Sequence, residues 1–152
     1  FNMIRNILKY PDPLLRLLCK PLLGISRDVE INIRDLFETL YDARGRGLAG
    51  PQIGFPFRIF VMDITWKAGE SDPKIIINPE ILYSSKETQV NTESCLSIPN
   101  QPIEVIRPKI IELLWLDQEG TVNRDSFSGI RAAVICHELD HLNGKLIIDN
   151  KK

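Results

Sequence analysis

The sequence has no apolar run long enough to cross a bilayer: the stretches 58–63 and 74–78 are short, and the longest near-continuous one is interrupted by Glu112. A soluble protein with no membrane partner is expected. Charge of one sign is also missing. With 19 Lys and Arg against 20 Asp and Glu, the formal net charge is -1, so no basic field is available to gather nucleic acid. The short basic runs Arg107-Pro108-Lys109 and Lys151-Lys152 read as solvated surface. Cysteine is scarce and odd in number. Cys19, Cys95 and Cys136 do not make a disulfide framework and point to the reducing cytoplasm, so each thiol is free to be core, ligand or nucleophile. Histidine is scarcer still, with two residues in 152.

No charged-then-apolar leader opens the chain, so Met3 reads as the start, with Phe1 and Asn2 an addition ahead of it. Internal repeats, low-complexity tracts and linkers are absent, and one domain over 1–152 is expected.

Pro11-Asp12-Pro13 ahead of an apolar run predicts an N-capped short helix that carries Cys19 into the core. Over 26–44, Val29, Ile33, Leu36, Phe37, Leu40 and Tyr41 recur at helical spacing until Gly45. Segments 57–64, 74–83, 87–93, 104–117 and 121–127 are rich in Ile, Val and Phe and separated by turn residues; they predict strands, mostly antiparallel because the connections are short. Asp117-Gln-Glu-Gly120 is the clearest hairpin turn. From Ser128 the helical period returns through Ile130, Ala133, Val134 and His137 and ends at Gly144. The expected architecture is α+β: two N-terminal helices, antiparallel strands in the middle, and a C-terminal metal-binding helix around which they pack.

That last helix holds both histidines, in His137-Glu-Leu-Asp-His141. Residues four apart share a helix face, so His137 and His141 can present two imidazole nitrogens to one ion. Glu138 points about 100° away and reaches a water at that ion from the side. A catalytic metal takes three protein ligands and keeps one position open. In the related pattern with a third histidine, Gly144 matches, but Ile147 occupies the last place. Asp149 is the sole carboxylate in the remaining tail, so the third ligand lies upstream, among acids and cysteines. Cys136 and Cys19 read as small buried residues. Cys95 differs, because a strand pattern gives way there to a turn ended by Pro99, where backbone is free to aim a side chain.

Glu93-Ser-Cys-Leu-Ser97 and His137-Glu-Leu-Asp-His141 resemble the second and third motifs of the peptide deformylases. Gly45-Arg-Gly-Leu-Ala-Gly-Pro-Gln52 is similar to the first, Gly-x-Gly-Leu-Ala-Ala-x-Gln, and the likeness runs from Tyr10 to Gly144 in the same order and spacing. The resemblance implies hydrolytic removal of the formyl group from N-terminal formyl-methionine of new polypeptides, releasing formate. It implies Cys95, His137 and His141 as ligands of one divalent ion, Fe(II) by family preference with zinc or nickel able to replace it. Glu138 then takes the proton of the attacking water and returns it to the departing amine. The Leu96 N–H and the Gln52 side-chain amide stabilise the oxyanion, while Gly47 and Leu48 pair with the substrate backbone.

Three positions depart from the family pattern: Ser94 stands for the usual glycine, Gly50 for the second alanine, and Cys136 where glutamine is common. The first two are expected to reshape the rim of the site, and Cys136 to be neutral packing. The chain stops soon after Ile148, as compact viral or organellar members do, whereas many bacterial members continue into a helix used at the ribosome. Ribosome docking is therefore left open; a monomer in a bacterial or virus-infected cytoplasm, or an organelle stroma, is expected. The competing readings are a metallohydrolase of other peptide amides and a non-catalytic zinc module. Glu138 and Gln52 argue against the latter, because a structural site needs neither.

Overall fold

The computed structural model describes residues 3–150; Phe1, Asn2 and the Lys151-Lys152 pair lie outside them. The first element is a single 3-10 turn, Pro13–Arg16, capped by the Asp12 side chain accepting from the Leu14 N–H. Cys19 falls beyond this turn, yet is buried as expected. Helix α1 (Arg27–Asp42) starts at Ser26, whose hydroxyl accepts from the Val29 N–H. It buries Val29, Ile33, Leu36 and Leu40, the face the periodicity marks.

Strands β1 (Gly47–Ala49), β2 (Ile59–Met62), β3 (Lys74–Ser84), β4 (Thr88–Cys95), β5 (Ile98–Pro108), β6 (Ile110–Leu116) and β7 (Val122–Ser128) follow. They form a five-stranded antiparallel sheet in the order β1-β2-β3-β6-β7 and a separate antiparallel pair, β4-β5. The segment expected as one strand over 104–117 is thus two. Lys109 divides them: β5 pairs with β4, and β6 crosses into the larger sheet between β3 and β7. Hydrophobic pattern runs through the break because both strands bury alternate residues, Val105 before it and Ile111 and Leu113 after. Strand β1 was hidden by its length of three residues and its glycine-rich setting. The Asp117 turn is as predicted, with its carboxylate accepting from the Glu119 and Thr121 N–H groups.

Helix α2 (Ile130–Leu142) closes the fold and ends where Asn143 and Gly144 (φ 73°) break the spiral. The large sheet is covered on both faces. Phe60 and Met62 of β2 point to one side with Ile76, Ile111 and Leu113, against Ala132, Ile135 and Leu142 of α2. Ile59 and Val61 alternate to the other side, with Leu48 and Ile77, against α1. The β4-β5 pair has its own cluster, in which Cys95, Ile98, Ile103 and Val105 pack under Leu15, Leu146 and Ile147. Cys95 therefore leaves a rigid strand end at the place where α2 passes.

Candidate active site

The sequence-predicted ligands converge. One ligand atom each from Cys95, His137 and His141 lies within 4.8 Å of the others, and the Cys95 sulfur stands 3.3 Å from His141 Nε2. A tetrahedral ion with bonds of about 2.0–2.3 Å separates its ligand atoms by about 3.5 Å, so the triangle has the right size. The imidazole at 137 is turned by its neighbour: His137 Nδ1 donates to Glu93 Oε1 over 2.9 Å, which leaves Nε2 to face the centre. Nδ1 of His141 is buried without a hydrogen-bond partner among the described residues.

The electrostatics also ask for a cation here. Burial alone would lower the His137 pKa, but the Cys95 sulfur, Glu93 and Glu138 raise it to about 10. With the Glu93 carboxylate bonded to it, an imidazolium supplies the positive charge that a divalent ion would supply when bound. His141 is driven well below the ordinary histidine range by burial and by the positive charges of His137 and Arg107, so it offers a neutral nitrogen. One thiolate and two imidazoles suit zinc or iron. Burial pushes the other thiols, Cys19 and Cys136, up to about 11, which keeps them protonated and inert, as their positions in the core imply.

Glu138 is 3% exposed, and its Oε1 has no hydrogen-bond partner among the described residues. Burial lifts its pKa to about 7 against the pull of His137. A carboxylate in this state is a proton acceptor with nothing to accept from until a ligand arrives. Gln52 is held at both ends: its Oε1 accepts from the Ala49 N–H, and its Nε2 donates to Ser97 Oγ over 3.0 Å and lies 3.9 Å from the Cys95 sulfur. A 3-10 turn, Gly50–Ile53, sets this side chain beneath the ligands. Leu96 opens the two-residue turn between β4 and β5, directly after Cys95. Gly47 and Leu48 lie in β1, at the end of the sheet order, so one backbone edge of β1 is not paired within the sheet.

Two readings change in the structure. Arg107 is 5% exposed, because β5 alternation turns it inward with Ile103 and Val105; it is not solvated surface. Its Nε and Nη2 donate to Glu93 and its Nη1 to Asp140, so it braces the carboxylate that orients His137. The inward period-2 register of 103, 105 and 107 was the signal available in the sequence. Gly50 is buried and reshapes no rim. A Cβ there would meet the Phe55 carbonyl oxygen at 2.6 Å, because the 55–57 backbone has closed over it. Ser94, by contrast, does line the site. Asn91, two residues before Glu93 on β4, lines it too, with a buried Nδ2 that has no partner among the described residues.

These side chains surround a cavity of about 610 Å³ whose walls are the 43–47 segment, the β4 end with its turn, and one face of α2. A second groove of about 710 Å³, around 20–29 with Phe55 and Phe57, holds none of the metal-ligating groups.

The chain is similar to known proteins over nearly its whole length. A peptide deformylase of Afipia carboxidovorans is 45% identical over 146 residues, 96% of this chain and 85% of that protein. The structure of peptide deformylase from Thermotoga maritima superposes with a TM-score of 0.93 at 38% identity, covering 99% of both chains. A Met-Ala-Ser-bound class I type b peptide deformylase from Acinetobacter baumannii gives 0.92 at 25% identity, again over 99% of each. The family model described as polypeptide deformylase matches residues 4–152, and with these likenesses over nearly the whole length the chain belongs to the peptide deformylase family.

Proposed function

We propose that this chain hydrolyses the formyl group from N-formyl-methionyl peptides at the Cys95, His137 and His141 centre, with Glu138 as general base and then acid. The observation that carries the assignment of Glu138 is its unpartnered, buried Oε1 beside the unpaired edge of β1. A peptide added to that edge through Gly47 and Leu48 brings its amino-terminal group to the carboxylate. The likeness to a deformylase bound to Met-Ala-Ser supports an extended tripeptide as occupant.

Cys95, His137 and His141 would hold a divalent ion, which when bound would supply the Lewis acidity that makes water nucleophilic near neutral pH. Glu138, kept near neutrality by burial, takes the proton at Oε1 and delivers it to the departing amine. Gln52 Nε2 and the Leu96 N–H donate to the oxygen of the formyl group as charge develops on it; both are fixed beforehand, one by Ala49 and Ser97, the other by the β4-β5 turn. The Glu93 carboxylate holds His137 in one orientation, and Arg107 holds Glu93. Of the ions that suit this donor set, we assign Fe(II), with zinc or nickel as replacements. The enzyme then acts as a monomer on chains as they are made, in the cytoplasm or organelle stroma where formylated chains arise.

Formate release from formyl-Met-Ala-Ser by protein purified without oxygen tests the assignment, with Glu138→Ala and Cys95→Ala alongside. Both variants should lose nearly all activity. Metal analysis should find the ion retained in the first and depleted in the second. Undiminished formate release by Glu138→Ala would sink the proton-transfer role, and equal cleavage of unformylated peptides would transfer the site to a broader amide hydrolase.

A further inference from the structure

The cavity is charged at its mouth in a way that the chain as a whole is not. Lys9, Arg44, Arg46 and Lys67 line it and are exposed, whereas its two carboxylates, Glu93 and Glu138, are sunk in its floor. None of the four cations is in an ion pair among the described residues. Over the whole sequence the balance is -1, so this concentration is local.

Two of the cations are held in place. Trp66 Nε1 donates to the Gly45 carbonyl over 2.8 Å, and Tyr41 meets the Trp66 ring edge-on at 5.2 Å. Tyr41 in turn donates to Asp63, a buried carboxylate that also accepts from Ser71 and from the Asp72 N–H. On this anchored ring rest the Arg44 guanidinium, 5.4 Å from the centroid, and the Lys67 ammonium, 5.9 Å from it.

The path of a bound peptide leads to them. Beyond Gly47 in the forward direction, Leu48 and Ala49 are fully buried, so a peptide at the edge of β1 runs the other way, past Arg46 and toward the turn at Arg44 (φ 57°). With a rise of about 3.4 Å per residue, the second to fourth residues of a peptide whose first lies at Gly47 come abreast of the cationic rim.

We propose that this rim selects formyl-methionyl peptides bearing aspartate or glutamate at their second to fourth positions; the proposal rests on the deformylase reading above. The cations gather around the exit of a peptide-sized cavity and not along an extended face, which favours an acidic peptide over a nucleic acid as the recognised chemistry.

The test compares kcat/KM for formyl-Met-Asp-Glu, formyl-Met-Ala-Ser and formyl-Met-Lys-Lys on the metal-loaded wild-type enzyme. At low ionic strength the acidic peptide should exceed the basic one about tenfold, the size that two screened surface ion pairs reach together. The ratio should collapse toward one at about 1 M salt, where the Debye length is about 3 Å. In Arg44→Glu/Lys67→Glu, where Lys9 and Arg46 then face two carboxylates and the rim has no net charge, the ratio of acidic to basic peptide should fall toward one. Equal kcat/KM for all three peptides at low salt, with formate still released, overturns the proposal while leaving the deformylase assignment intact. So does a preference that survives charge reversal. Indifference among peptides with strong inhibition by a short oligoribonucleotide would give the rim to nucleic acid instead. No formate from any of the three would remove the activity on which the proposal stands.

Discussion

Gly47 and Glu138 occupy one space: a Cβ built on Gly47 would lie 2.5 Å from Oε2 of Glu138 and 3.1 Å from its Cγ. The edge strand can therefore pass the Glu138 carboxylate only because residue 47 has no side chain. Glu138 cannot swing away cheaply, since it is packed at 3% exposure between α2 and β1.

Gly47→Ala should accordingly displace the carboxylate. A shift of about 1 Å in a reacting group costs on the order of 100-fold in rate, so kcat should fall by about that factor. Metal content should be unchanged, because the atoms that crowd the added methyl most closely all belong to Glu138 and not to Cys95, His137 or His141. Steady-state kinetics with parallel metal analysis checks this. A variant with full kcat would mean that Glu138 does not act from the position observed.

The Arg107 brace makes stability depend on acid pH. Burial raises the Glu93 pKa, but the bonds from Arg107 and His137 outweigh it and hold the carboxyl at about 2, against an ordinary 4.5. A depressed folded-state pKa gives stability that is complete above about 4.5 and is lost as pH falls toward 2. The drop corresponds to about 3 kcal/mol. Urea midpoints taken between pH 5 and pH 2.5, with chelator throughout so that metal loss does not intrude, should fall steeply for wild type and less steeply for Glu93→Gln. Arg107→Ala leaves two carboxylates, Glu93 and Asp140, without their shared guanidinium and should cost about 3–5 kcal/mol at neutral pH.

The parts that the sequence made legible are those with a repeating spacing or a ligand-specific residue type. Helix α1 could be read because four buried residues recur at helical period, and the histidine pair because residues four apart share a helix face; Cys95 as the third member of the group came from the motif resemblance. What escaped was contact between distant segments. Arg107 sits in a run with Pro108 and Lys109 that looks solvated, and only the pairing of β5 with β4 shows that it lies against Glu93. The split at Lys109 was invisible for a related reason: an apolar pattern does not say which sheet each half joins. Gly50, a single substitution in a motif, reads as a change at the rim of the site because nothing local reveals that the 55–57 backbone folds over it.

Gln52 offers the sharpest separation of catalysis from structure. Its carbonyl end accepts from the Ala49 N–H and its amide end donates to Ser97 Oγ, so the side chain is positioned by two bonds and aimed beside the Cys95 sulfur. On the proposed mechanism Gln52→Ala removes one oxyanion donor, and kcat should fall about 100- to 1,000-fold. It also leaves a buried backbone N–H at Ala49 without its acceptor, a stability cost of about 1–3 kcal/mol. Ser97→Ala separates the two effects. It keeps the Gln52 amide and its bond to Ala49, and removes only the bond that steadies the Nε2 end. If that end acts on the transition state, Ser97→Ala should lower kcat by a smaller factor than Gln52→Ala, with KM for formyl-Met-Ala-Ser little changed. If Gln52 is only a brace for the 49–53 turn, both variants should lose thermal stability in proportion to any loss of kcat, and the donor role would be wrong.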